Sequence, residues 1–154
     1  MDRYLEDFAV GQRFGAGGRL VERDEVIAFA ERYDPQPFHL SDEGAADTYF
    51  GRLAASGWQT CAMTMGLMLS AWGGGTNRAS LGSPGVDELR WLRPVYPGDV
   101  LRMEIEITEV TPSRSRGDMG SVKGRVTTYN QDDEAVLTFR SIGLYRRRET
   151  REDA

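Results

Sequence analysis

His39 is the only histidine of the chain, and Asp34 lies five residues before it with Pro35 and Pro37 between them. Proline fixes its own φ and pushes the preceding residue towards extended backbone. Asp34 and Gln36 each precede a proline, so Tyr33-Asp34-Pro35-Gln36-Pro37-Phe38-His39 reads as a stiff extended loop rather than helix. Such a loop can hold a carboxylate and an imidazole at fixed separation. An imidazole near its ordinary pKa exchanges a proton at neutral pH, and a carboxylate beside it can share or orient that work. A turn-forming carboxylate and a structural histidine would present the same two residues, so spacing alone leaves the chemistry open.

The rest of the chain narrows the field. At 154 residues it has the length of one domain able to bury a core, and 40% hydrophobic with 28% charged residues is an ordinary globular composition. A net charge of −5 argues against nucleic acid or an anionic membrane as partner. Cys61 is the single cysteine, which excludes an internal disulfide, and with one histidine a protein-built metal site is not expected. Cys61 sits in an apolar stretch and reads as inert filler rather than a nucleophile. The acidic start, Met1 to Asp7, is not a signal peptide, and no run is apolar enough for a bilayer. The expectation is a cytoplasmic domain without a cofactor of its own.

The elements that must position the loop can be read in turn. Phe8 and Val10 read as anchors of the lead-in, and a short strand is expected at residues 18–22. Asp24 to Tyr33 is a helix opened by acidic residues, with Val26, Phe29, Ala30 and Tyr33 at the spacing of a buried face. Ser41 and Asp42 are caps for a short helix running through Ala45, Ala46 and Tyr49. From Ser56 to Thr76 there is no charged residue, so the helix there is expected to be buried all round, ended by Gly73-Gly74-Gly75. Beyond Ser83 the period changes to two, with strands expected at 85–92, 101–108, 122–129 and 136–145. Pro97-Gly98 suits a type II turn. The fold class is therefore α+β, one long buried helix wrapped by an antiparallel sheet over residues 1–145, with 146–154 as a charged, solvated tail.

The run from Phe29 to Asp42 resembles the signature of the MaoC-like dehydratases, hot-dog-fold proteins that include the (R)-specific enoyl-CoA hydratases. Asp34, Pro37 and His39 match the family's Asp, Pro and His. Ser56-Gly57-Trp58 falls where a motif ending in His-Gly-Met opens the central helix, and Leu92 to Asp99 resembles a later turn. Gln36 departs from the usual Asn and keeps an amide; Ser56 departs from the frequent His.

The resemblance implies a single hot-dog domain that adds water to the double bond of a 2-enoyl-CoA. In that reading Asp34 and His39 grip one water, and Gly57 N–H at the start of the helix meets the thioester oxygen. Gly57 is equally explained as a tight helix start. Phe38, Ser56 and Trp58 are the expected substrate-binding residues, while Met63, Leu67, Met68 and Trp72 read more readily as core. Coenzyme A enters as part of the substrate, and Arg90, Arg93 and Arg114 are candidates for its phosphates by charge alone. The expected partners are an acyl-CoA thioester and a second copy of the chain in a homodimer or higher homo-oligomer. The alternatives are a hot-dog acyl-CoA thioesterase and a non-catalytic acyl-thioester binding module. Against the first, the apolar helix carries no Asp or Glu.

Overall fold

The computed structural model describes residues 1–72 and 75–149. Five strands, β1 (Arg13–Leu20), β2 (Ser80–Trp91), β3 (Val100–Pro112), β4 (Met119–Tyr129) and β5 (Ala135–Arg146), form one antiparallel sheet in the order β1-β3-β4-β5-β2. Helix α1 (Arg23–Tyr33), the short α2 (Asp42–Ala45) and the long α3 (Gly57–Ala71) all lie between β1 and β2 in sequence. This is the hot-dog arrangement, with α3 packed on β1 and β3.

Strand alternation builds the core. Leu101, Met103, Ile105 and Ile107 of β3 point inward and are buried, while Glu104 among them and Thr108 just after them face water. They meet Met63, Leu67 and Met68 from one face of α3 and Val126 and Leu137 from the neighbouring strands. Each such side chain contributes about 1.5–3 kcal/mol when fully buried. The Pro97-Gly98 turn forms as its residues dictate: Asp99 N–H donates to Tyr96 C=O at 3.0 Å and Gly98 takes φ +94°.

Several expectations are corrected. Helix α3 is buried on one side only. Trp58, Met65 and Leu69 recur along its other side and are exposed, because the sheet of one chain covers a single face of the helix. On α1 only Val26 and Ala30 are buried; Tyr33 is exposed and lies beside Phe29 with ring centroids 5.0 Å apart. Phe8 anchors the lead-in but Val10 is exposed. Strand β1 spans eight residues despite its glycines, with a register shift between Gly17 and Arg19. Helix α2 stops at Ala45. The charged tail begins tied down rather than solvated. Arg146 belongs to β5, Arg147 N–H donates to Asp118 C=O, and Arg148 Nη2 reaches Asp7 Oδ2 at 2.7 Å. The expected helix stop at Gly73 and Gly74 and the end of the tail lie outside the described residues.

Candidate active site

The loop after α1 does what its prolines require, with one refinement. Asp34 closes the helix outside helical backbone (φ −153°, ψ 65°), and Gln36 is extended before Pro37. Pro37–His39 then turns through a single 3-10 turn, a helical turn the sequence reading excluded. Proline at the first position of a turn has no N–H to leave unpaired, so the turn costs little. It swings His39 inward, beneath the segment leading to α3.

His39 is buried, and its Nδ1 lies 2.7 Å from the Ala54 carbonyl oxygen. A carbonyl can only accept, so Nδ1 carries a proton, and when the ring is neutral Nε2 holds a lone pair. Nε2 is 3.5 Å from Asp34 Oδ2, too long for a good direct hydrogen bond. Phe38 and Phe50 pack on the imidazole at 4.6 and 5.6 Å between centroids and fix its plane.

Asp34 is held from two sides. Gln36 Nε2 donates to Oδ1 at 2.6 Å, and Ser56 Oγ donates to Oδ2 at 2.8 Å. Burial pushes the Asp34 carboxyl up, but these two bonds and the pull of His39 when its ring is protonated outweigh it, and the group ends below the usual carboxylate range. It is therefore ionised at neutral pH. Each of its oxygens keeps a lone pair for one more donor.

Asp34 and His39 open into a cavity of about 320 Å³ that is also lined by Tyr49, Phe50, Thr60, Leu92, Arg93 and Val95. Gly57, Trp58 and Trp91 form another part of its wall. Ser56 precedes the first turn of α3, but no side chain caps the helix, because the Ser56 hydroxyl is committed to Asp34. The Ser56 carbonyl accepts from Gln59 and Thr60 N–H, and among the described residues nothing accepts from Gly57 or Trp58 N–H. Two free donors at the positive end of a helix dipole thus border the same cavity as the Asp34–His39 pair. Gly57 has a packing reason as well. A methyl group there would lie 2.6 Å from the Trp91 indole.

The expected site residues divide. Asp34, His39, Gly57 and Trp58 all border the cavity. Phe38 and Ser56 do not: Phe38 buttresses His39, and Ser56 is fully shielded and orients Asp34. Met63, Leu67 and Met68 are core, and Trp72 packs at its edge against Phe8 and Phe14. Of the three arginines only Arg93 reaches the cavity, paired with Glu134 at 2.9 Å. Cys61 is half-buried and burial pushes its thiol up, away from a reactive thiolate. Sequence reasoning missed Tyr49, Phe50, Thr60 and Trp91. Nothing local marks them, because folding brings them together from three parts of the chain: the segment after α2, α3 and β2. Among the described residues no three His, Cys, Asp or Glu gather as metal ligands, and no helix is long and apolar enough to cross a membrane.

Comparison with known proteins agrees with this fold. The family model described as MaoC like domain matches residues 7–130. The crystal structure of the MaoC-like dehydratase from Rhodospirillum rubrum superposes with a TM-score of 0.86 at 41% identity, covering 96% of this chain and 99% of that one. The uncharacterized protein YdeM of Bacillus subtilis is 30% identical over 86% of this chain and 92% of its own length. A 3-hydroxybutyryl-CoA dehydratase from Methylorubrum extorquens is 29% identical over 87% of this chain and 78% of its own. Matched over most of its length by sequence and by fold, this chain belongs to the MaoC-like domain family.

Proposed function

We propose that the protein is a hydratase that adds water across the double bond of a 2-enoyl thioester, with the Asp34–His39 pair as its acid–base machinery. The observation that carries this reading is the pair itself. A carboxylate oxygen and the imidazole Nε2 stand 3.5 Å apart at the wall of one cavity. With the ring neutral both are acceptors, so the two hydrogens of one water can satisfy them together. The oxygen lone pairs of that water are then left facing the cavity. As this oxygen bonds to C3, its proton passes to the pair, and the π electrons shift towards C2 and the thioester oxygen. Gly57 N–H stabilises the charge that gathers there. The pair returns a proton to C2 from the same face, giving syn addition of water. Positioning of this kind together with acid–base transfer supports large rate gains without a metal.

Coenzyme A is the natural carrier in this reading, since the Methylorubrum relative is a CoA-thioester dehydratase. The working form is a homodimer. Trp58, Met65 and Leu69 on the open face of α3, with Leu81, Val86 and Trp91 on the edge strand β2, leave an apolar surface next to the cavity. An uncovered sheet edge and an apolar helix stripe are what a second copy would cover.

A panel of 2-enoyl-CoA substrates tests the function. Loss of enoyl absorbance without release of free thiol is the expected result. Thiol release would identify a thioesterase, and saturable binding with neither change would identify a binding module.

A further inference from the structure

The start of α3 is fixed by a residue from the far end of β2. Trp91 is 34 positions from Gly57 in the chain, and its indole Nε1–H donates to the Gly57 carbonyl at 2.9 Å. That carbonyl and Trp58 N–H are the two ends of one planar peptide unit. A donor on the oxygen therefore sets the direction of the N–H and, by polarising the amide, strengthens it as a donor. The same indole lies where a side chain at position 57 would be, and the Trp58 ring meets it edge to face with centroids 5.1 Å apart.

The backbone before Trp91 is shaped to deliver it. The register of β2 against β5 slips between Asp87 and Arg90, and Glu88 holds φ +53°, rare for a residue with a side chain. A bulge re-aims the side chains that follow it. Left-handed backbone at a non-glycine residue persists only where its surroundings enforce it, and Glu88 is paired with Arg140 of the neighbouring strand at 3.1 Å.

We propose that Trp91 is a positioning residue of the hydration site. It aims and polarises Trp58 N–H so that this group joins Gly57 N–H on the thioester oxygen as charge develops. The oxyanion site then has two backbone donors, one of them tuned by a side chain from another element. This inference rests on the hydratase reading of the same cavity.

The decisive variant is Trp91→Phe, which keeps the ring mass against Gly57 and Trp58 and removes only the N–H. With crotonyl-CoA its kcat should fall about tenfold, less than the roughly 10²–10³ lost with a direct donor, while KM stays within about twofold. The second readout needs no turnover: the carbonyl stretch of butyryl-CoA labelled with ¹³C at the thioester carbon. Bound to the wild type it should move to lower frequency than in water, and Trp91→Phe should lose part of that shift. A Trp91→Phe protein with wild-type kcat and carbonyl frequency overturns the proposal, even if its melting temperature is lower, since that would make Trp91 packing alone. Should Trp91→Phe fail to fold, Gly57→Ala expels the indole by its added methyl and must show the same two losses; wild-type values there also overturn the proposal. A wild type inert towards every enoyl-CoA overturns the hydratase reading, and this inference with it. An active wild type beside an unaffected Trp91→Phe overturns this inference alone.

Discussion

Ser56 and Asp34 are 22 residues apart in the chain, yet Ser56 Oγ lies 2.8 Å from Asp34 Oδ2, with the serine wholly shielded from solvent. The serine sits just before α3, and the aspartate ends α1. Their hydrogen bond joins the loop that holds Asp34 and His39 to the helix start that holds the free N–H groups. It also takes the hydroxyl that would otherwise cap the helix, which leaves the first donors of α3 free.

Ser56→Ala breaks this link. Burial alone pushes the Asp34 carboxyl up, and the serine bond is one of the contacts that hold it down. Its loss should raise the pKa, so the acid limb of the kcat/KM profile should move to higher pH. The sign for stability is the same. A depressed native pKa contributes stability that is complete above the unfolded value near 4 and is lost as pH falls through the lower native value. Ser56→Ala should therefore shed part of its stability difference from wild type on acidification. A profile superimposable on the wild type would show that Ser56 does not tune Asp34.

Thr64 of α3 and Thr128 of β4 share a hydrogen bond of 2.7 Å between fully buried hydroxyls. Thr64→Val leaves the Thr128 hydroxyl without its partner and should cost about 1–3 kcal/mol in denaturant unfolding. Replacing both by valine should cost less than the sum of the two single changes. Additive losses would mean that each threonine is satisfied independently.

Leu69 belongs to the apolar stripe left open on α3. If a second copy covers that stripe, the wild type should run as a dimer in light scattering at micromolar concentration, and Leu69→Glu should shift it to monomer. A wild-type monomer under those conditions would contradict the dimer.

Much of the site was legible in the sequence because its key contacts are local. Two prolines fix the loop, and the same few residues supply Asp34, Gln36 and His39. The period-two run of β3 and the Pro97-Gly98 turn are likewise short-range signals, and both appear in the fold. What the sequence hid is long-range. Trp91 against Gly57, and Ser56 against Asp34, depend on how separate elements meet. The apolar run of α3 suggested full burial because composition cannot distinguish a core face from an exposed apolar one. Glycines in β1 argued for a short strand, yet pairing with β3 carries it to eight residues, since close strand approach overrides local propensity.

The central claim is that Asp34 and His39 together activate one water. Asp34→Asn keeps the size of the side chain and removes its charge and its ability to take a proton. The most direct measurement is the hydration rate of crotonyl-CoA by this variant, beside its affinity for the saturated thioester. The account predicts a fall in kcat of about 10² or more with affinity nearly unchanged. It also predicts that Asp34→Asn with His39→Ala will lose little beyond either single variant, because two residues gripping one water act as a unit. Hydration by Asp34→Asn at near the wild-type rate would contradict it.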